Sequence, residues 1–404
     1  MTFSRPQHRL TAALVLLALA VCAGLYWHVW QKYLDLQVYR LGGRTWLDGV
    51  DLYGPLPQVD GVSLPFTYPP LAAVFFAPLA ALPRDPADAA MFAVSVLALA
   101  GTLWLFLLRL RPAMAPVDRA ALVVAIVAAA LYLEPVRETL SFGQINMVLM
   151  FVITADVLVD RPFWPRGMLI GIAVSIKLTP AAFLLYFVVR RDVRAALTMV
   201  ASTIGAAAVG FLLAWSDSLE YWFGGTLSST NRIGAPYFTS NQSLKGLYFR
   251  FGLSDTVANA AWLLTSLVVV VLAAVWMSRL VRTDSVFGVP SALLVNALTV
   301  LLISPVSWSH HWVWIASALL VAGCAIADGD RHAWLVATTA AALVIFYVGP
   351  HWLVPHRRDA ELTWNFWQHI VGNAYCLFAV GVLVAGWLVS TRSARSTIEE
   401  NAAR

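Results

Sequence analysis

The chain has 404 residues, 60% of them hydrophobic and only 12% charged, with a formal net charge of +5. So little charge cannot cover a soluble protein of this length, so a soluble enzyme is excluded and an all-α polytopic membrane protein is expected. The positive balance does not signal nucleic acid, because the arginines stand in short clusters between apolar runs.

The first apolar run, Leu10 to Trp30, follows Arg5 and Arg9. It is long for a signal peptide and no small-x-small cleavage site follows it, so it reads as a retained first span with a cytoplasmic N-terminus. A long outer segment, 31–86, comes next. It holds an amphipathic stretch from Leu36 to Leu47, a Gly/Pro-rich turn region and Phe66-Thr67-Tyr68-Pro69-Pro70. It closes on an apolar run, 71–82, too short to span and expected to lie half-inserted or at the interface. Further spans are expected at 87–109, 117–133, 145–159, 195–214, 257–279, 289–304, 310–327, 333–348 and 370–389. All three cysteines, Cys22, Cys324 and Cys376, lie inside apolar runs, which argues against a disulfide framework or a metal knuckle.

The run 167–190 is broken by Lys177 and Pro180. If it crossed once, the cluster Arg190, Arg191 and Arg194 would lie outside and every later basic cluster would be inverted. A re-entrant hairpin with its tip near Lys177 to Pro180 keeps all the basic clusters inside. These are Arg5/Arg9, Arg109/Arg111/Arg119, Arg161/Arg166, Arg190/Arg191/Arg194, Arg279/Arg282, Arg331 and Arg392/Arg395. Non-helical backbone at that depth needs a protein or water-filled surround, so Lys177 is expected to face a cavity open to the outside. The count is then about 12 transmembrane or re-entrant helices in a single domain, 1–404, with cytoplasmic tails 1–9 and 391–404. Besides 31–86, the outer face would carry 134–144, 215–256, 349–369 and the turn from Pro305 to Ser309. No internal repeat is visible, which counts against a transporter built from two symmetric halves.

Polar knots beside apolar runs are the functional candidates. Asp35, directly after the first span, is either a general base for an incoming hydroxyl or a helix-capping residue. Lys177, deep in an apolar run, either snorkels to an interface or awaits an anion such as a phosphate. His310 and His311 are candidates for phosphate or hydroxyl contact by one ring, since neighbouring α-helical positions diverge by about 100°. No acidic or histidine pattern accompanies them, so no metal is expected. Arg137 and Lys245 are the next cations available to a phosphate. Gln144, Asn146, Asn241 and Gln242 offer the amides that sugar hydroxyls need, and Trp308 and Trp364 offer stacking faces.

One ordered motif series runs along the chain. Asp35-x-x-Val38-Tyr39, Asp51-Leu52-Tyr53 and Pro65-Phe66-Thr67-Tyr68-Pro69-Pro70 open it. Gly143-Gln144-x-Asn146, Lys177-Leu178-Thr179-Pro180, Asn241-Gln242-Ser243 and Ser304-Pro305-x-Ser307-Trp308-x-His310-His311 continue it. The series resembles the polyprenol-phosphate-mannose-dependent mannosyltransferases of the actinobacterial cell envelope, a family of C-type membrane glycosyltransferases. The resemblance implies a plasma-membrane enzyme, working as a monomer with its active site on the extracytoplasmic face. It would move mannose from a polyprenyl phosphate to a mannosylated phosphatidylinositol, forming an α-1,2 linkage. It places the general base at Asp35, and the sugar or acceptor contacts at Tyr39 and Tyr68 besides the amides and tryptophans. Gln37, where metal-dependent relatives carry a second acid, implies a metal-independent, cofactor-free branch. The rival readings are a transporter or flippase of a lipid-linked sugar, a lipid-linked glycan polymerase or ligase, a structural scaffold, and a transferase that branches a longer lipoglycan.

Overall fold

The computed structural model describes residues 6–229 and 234–402. Arg5, Ala403 and Arg404 lie outside the described residues, as do the side chains of Arg392 and Arg395. Apart from two isolated bridges, Val59–Val62 and Asn241–Trp308, all regular structure among the described residues is helical. Each apolar run named above forms a helix.

Among the described residues six helices are long and apolar enough to cross a membrane: Pro6–Tyr26, Arg84–Leu110, Val193–Leu213, Asp255–Leu280, Ser309–Ala327 and Ala374–Thr391. A seventh candidate is a pair, Pro116–Ala130 and Glu134–Phe142, bent by 79° at a short break. Pro135 in the first turn of the second member explains where it starts, because proline fits a helix start and cannot continue a helix. The remaining apolar helices, including Asn146–Leu158, Gly288–Ile303 and Ala333–Val348, are shorter than a full span. The stretch 167–190 is interrupted, with a helix Met168–Val174, a break holding Lys177, a 3-10 turn Thr179–Phe183 and a helix Leu184–Arg190.

The chain divides into two compact units. The first runs to Leu184 and includes Asp192–Ala235. Its segment 31–86 is built on two helices, Leu34–Leu47 and Pro70–Ala81, packed side by side. Gly43 permits that approach, since a Cβ there would stand 2.9 Å from the backbone nitrogen of Ala77. Tyr39 stacks on Phe76 with ring centroids 4.2 Å apart. Leu36, Phe66 and Phe76 are fully buried here. Each such side chain contributes about 1.5–3 kcal/mol where the alternative is exposure to water. Pro6–Tyr26 packs on Pro116–Ala130, Arg84–Leu110 on Asn146–Leu158, and Val193–Leu213 on Met168–Val174. Asp156, wholly buried, closes the start of the Met168–Val174 helix by accepting from the backbone of Gly167 and Ile170, both at 3.0 Å.

The second unit comprises Leu185–Arg191 and the chain from Pro236 onward. Asp255–Leu280 packs on Gly288–Ile303 and on the long helix Ala374–Ala402, and Ile315–Ala327 packs on Ala333–Val348. Arg250 heads the fully buried side chains. It donates to the carbonyls of Phe238 and Asn241 and to the side-chain oxygen of Asn373, at 3.1, 2.9 and 2.5 Å. It thereby ties the loop before the Leu244–Arg250 helix to the start of the last long helix.

Candidate active site

The site is assembled in the first unit, where the Leu34–Leu47 helix meets the turn after Glu134–Phe142. Tyr33 precedes the helix with a left-handed backbone, φ 41°, and its N–H donates to the carbonyl of Ser141 at 2.5 Å. A non-glycine residue in that region is uncommon and costs energy, and here the bond to Ser141 holds it in place. Asp35 is the second helical residue, and its side chain makes no capping bond. The capping reading of Asp35 is therefore replaced by a tertiary contact.

That contact is with Gln144. Gly143 ends the Glu134–Phe142 helix at φ 67°, and a Cβ there would come within 2.6 Å of the Leu36 side chain. Glycine thus lets the turn press against the Asp35 helix and deliver Gln144. The Gln144 Nε2 donates to Asp35 Oδ2 at 2.6 Å. Its Oε1 accepts from Tyr39 Oη at 2.5 Å and from Lys177 Nζ at 3.3 Å. An ammonium can only donate, so Lys177 fixes which end of the amide is oxygen and turns the NH₂ toward the carboxylate.

Lys177 also donates to Asn146 Oδ1 at 2.9 Å, and Asn146 in turn donates to Thr139 Oγ1 at 3.4 Å. The ammonium lies 5.8 Å from the centroid of the Tyr68 ring. The Tyr68 hydroxyl donates to Tyr39 Oη at 3.3 Å. Asp35, Tyr39, Tyr68, Gln144, Asn146 and Lys177 are thus one connected network, drawn from four separated stretches of sequence. Lys177 sits in a close polar cradle, 9% exposed, with Gln144 at 3%.

Asp35 is only half-buried, and its Oδ1 carries no hydrogen bond among the described residues. Burial pushes its carboxyl above the usual range, while the Gln144 hydrogen bond and the charge of Lys177 hold it back. The arrangement offers a carboxylate oxygen to a hydroxyl and a cation to an anion, joined by one amide. Gln37 points its amide elsewhere, to Asp88 at 3.0 Å and Arg40 at 2.7 Å.

Of the other sequence candidates, one belongs to the first unit. Arg137 pairs with Glu138 at 3.4 Å, and Glu138 also pairs with Lys32. The rest belong to the second unit. Asn241 is buried, donating to the carbonyl of Pro236 and accepting from the N–H of Ser307, both at 2.9 Å. Gln242 is buried too, and donates to the carbonyls of Thr239 and Gly372. Those two amides secure loops. Lys245 lies over the Trp262 ring at 4.9 Å. Trp364 is buried and donates to the carbonyl of Pro355 at 2.7 Å, while Trp308 meets Phe238 edge-on. His310 and His311 sit on a 3-10 segment, Ser309–Trp314, not on an α-helix, with rings 4.8 Å apart and nearly perpendicular. Thr139, which anchors Asn146, is a member that sequence reading missed; a threonine inside a helical run carries no signal of its own.

Comparison with known proteins decides the family. The model of glycosyltransferase family 87 matches residues 66–305. Two proteins, from Mycolicibacterium smegmatis and Mycobacterium tuberculosis, are each 40% identical over 92% of this chain. The chain belongs to glycosyltransferase family 87. Both relatives are named polyprenol-phosphate-mannose-dependent alpha-(1-2)-phosphatidylinositol mannoside mannosyltransferase, and the match covers 89% and 88% of their own lengths. A third relative, from Mycobacterium tuberculosis, is named polyprenol-phosphate-mannose-dependent alpha-(1-2)-phosphatidylinositol pentamannoside mannosyltransferase. It is 33% identical over 96% of this chain and 89% of its own length. No solved structure matches the chain. The family-87 match includes Tyr68, Gln144, Asn146 and Lys177 and begins after Asp35.

Proposed function

We infer that this family-87 enzyme transfers a mannosyl group from a polyprenyl phosphate to a hydroxyl of a mannosylated phosphatidylinositol, forming an α-1,2 linkage on the extracytoplasmic face. The observation that carries this reading is the hydrogen-bonded path from Asp35 through Gln144 to Lys177. The names of the relatives supply the donor and acceptor classes.

The chemistry needs few ionisable groups. Asp35 Oδ1 takes the proton of the acceptor hydroxyl as its oxygen attacks the anomeric carbon. The bond from that carbon to the phosphate oxygen breaks, and the phosphate leaves with the electron pair. Phosphate is already a good leaving group, so no general acid is required. Lys177 stabilises the departing charge from within its buried cradle, where electrostatic interactions act with little screening. A single displacement on a β-linked donor inverts the centre and gives the α-mannoside. No cofactor or metal enters this scheme. Gln144 has two tasks: it positions the base, and it keeps the Asp35 carboxylate from pairing directly with the cation. The roles assigned above to Arg137, Lys245, His310 and His311 at the phosphate rest on the sequence alone.

Incubating the purified chain in detergent with labelled polyprenyl-phosphate-mannose and a panel of mannosylated phosphatidylinositols tests the reading. Label in the acceptor lipid is the expected result. Label that moves between the leaflets of a vesicle yet stays on the polyprenyl phosphate would favour the transporter instead. Label entering only a longer lipoglycan would favour the branching transferase.

A further inference from the structure

The first unit holds a second cleft, of about 640 Å³, that the chemistry above does not use. It is formed by the end of the Leu34–Leu47 helix, the turn after it, and the start of the helix Trp215–Phe223. The carboxylates of Asp51, Asp217 and Glu220 line it together with the rings of Trp46, Tyr53 and Trp215.

Asp217 is the unusual member. It is 8% exposed, and its Oδ1 accepts from the N–H of Leu52 at 3.0 Å. Its Oδ2 has no hydrogen bond among the described residues. A carboxylate this buried with an oxygen left over leaves an acceptor for something that enters the cleft. Asp51 and Glu220 are each also bound through one oxygen, to the N–H of Tyr53 at 2.9 Å and to the hydroxyl of Thr226 at 3.0 Å. Trp46 donates its indole N–H to the carbonyl of Leu213 at 2.9 Å, which fixes its ring as a wall. Trp215 is 66% exposed.

The lining determines the ligand chemistry. No lysine or arginine lines the cleft, so a phosphate would be repelled by three carboxylates. Among the described residues no group of three His, Cys, Asp or Glu side chains is arranged to hold a metal ion. What remains is a neutral polyol, whose hydroxyls donate to carboxylates and whose C–H faces lie on aromatic rings. The cleft opens at one end of a membrane-crossing candidate, Val193–Leu213, where Trp215, Leu219 and Phe223 present an exposed face at four-residue spacing. That is a suitable seat for a headgroup whose acyl chains remain in lipid. The cleft is also wired to the Asp35 network. Tyr53 lines it and donates through its hydroxyl to the carbonyl of Tyr68 at 2.8 Å, and Tyr68 donates to Tyr39.

We propose that this cleft is a subsite for a mannosyl residue of the acceptor glycolipid remote from its phosphate, with Asp217 as the principal hydroxyl acceptor. The proposal rests on the transferase reading above. Its test is the response of Asp217→Asn and Trp215→Ala to each substrate. Asp217→Asn keeps an oxygen for Leu52, and Trp215 is exposed, so both variants should fold. Both should raise the acceptor KM roughly tenfold or more, with the donor KM little changed. Binding of free α-1,2-mannobiose, measured without donor, should be correspondingly weaker in both variants than in the full-length wild type. An unchanged acceptor KM beside normal wild-type transfer would overturn the subsite and leave the transferase standing. A raised donor KM with the acceptor KM unchanged would assign the cleft to the donor sugar and overturn the proposal. Binding of choline in preference to mannobiose would overturn it as well. Mannobiose binding that depends on Asp217, in a protein that transfers nothing, would sustain the subsite and sink the transferase reading.

Discussion

Gln144 donates its NH₂ to Asp35 at 2.6 Å, and that single bond connects the half-buried carboxylate to the buried ammonium of Lys177. The bond favours the charged form of Asp35 against the desolvation that raises its pKa. A group with a raised pKa is ionised only above that value, so transfer is expected to fall as pH drops through it. In Gln144→Leu the supporting hydrogen bond is gone and the carboxyl rises further. The acid limb of the kcat/KM profile should then move to higher pH. An acid limb left in place would show that Gln144 does not tune the base.

Lys177 is expected to serve the donor. In Lys177→Met, donor KM should rise roughly tenfold or more while acceptor KM changes little. The change also takes the ammonium from the buried Asn146 Oδ1, while Gln144 Oε1 keeps the Tyr39 hydroxyl. That loss destabilises the protein by about 1–3 kcal/mol. Thermal unfolding of the purified variant checks the second effect, and steady-state kinetics the first.

Transfer should survive EDTA. Asp35 has an amide and an ammonium in place of a second acid, and Gln37 is committed to Asp88 and Arg40. Activity lost on chelation and restored by Mn²⁺ or Mg²⁺ would contradict the metal-independent scheme.

The interrupted stretch 167–190 is expected to enter and leave the membrane on the same side. A cysteine placed at Asp192, in a chain lacking Cys22, Cys324 and Cys376, should label only from the cytoplasm. Labelling from outside would invert every later loop.

What the sequence made legible followed from solvent physics. Apolar runs had to become helices, and Lys177 within one of them had to find polar company. Asp35, Gln144, Asn146 and Lys177 were conspicuous because each interrupts or borders an apolar run. The partners were not legible. Asn241 and Gln242 have a composition suited to sugar, but they spend their amides on backbone groups, and composition cannot tell one use from the other. The sequence reading did not single out Arg250, a buried staple whose carbonyl partners come from a loop with no periodic signal. The 79° bend after Ala130 was hidden in a run apolar enough to continue to Leu133. The cleft at Asp217 was invisible because its walls lie more than 150 residues apart in sequence, as the bond from Leu52 to Asp217, 165 positions on, illustrates.

The central claim is that Asp35 is the base, and Asp35→Asn tests it most directly. The amide keeps the shape and can still contact Gln144, yet it cannot take a proton. Turnover with labelled polyprenyl-phosphate-mannose should fall by about 10²–10⁴-fold, while the folded variant still binds donor. Turnover close to wild type would contradict the account and remove Asp35 from the reaction.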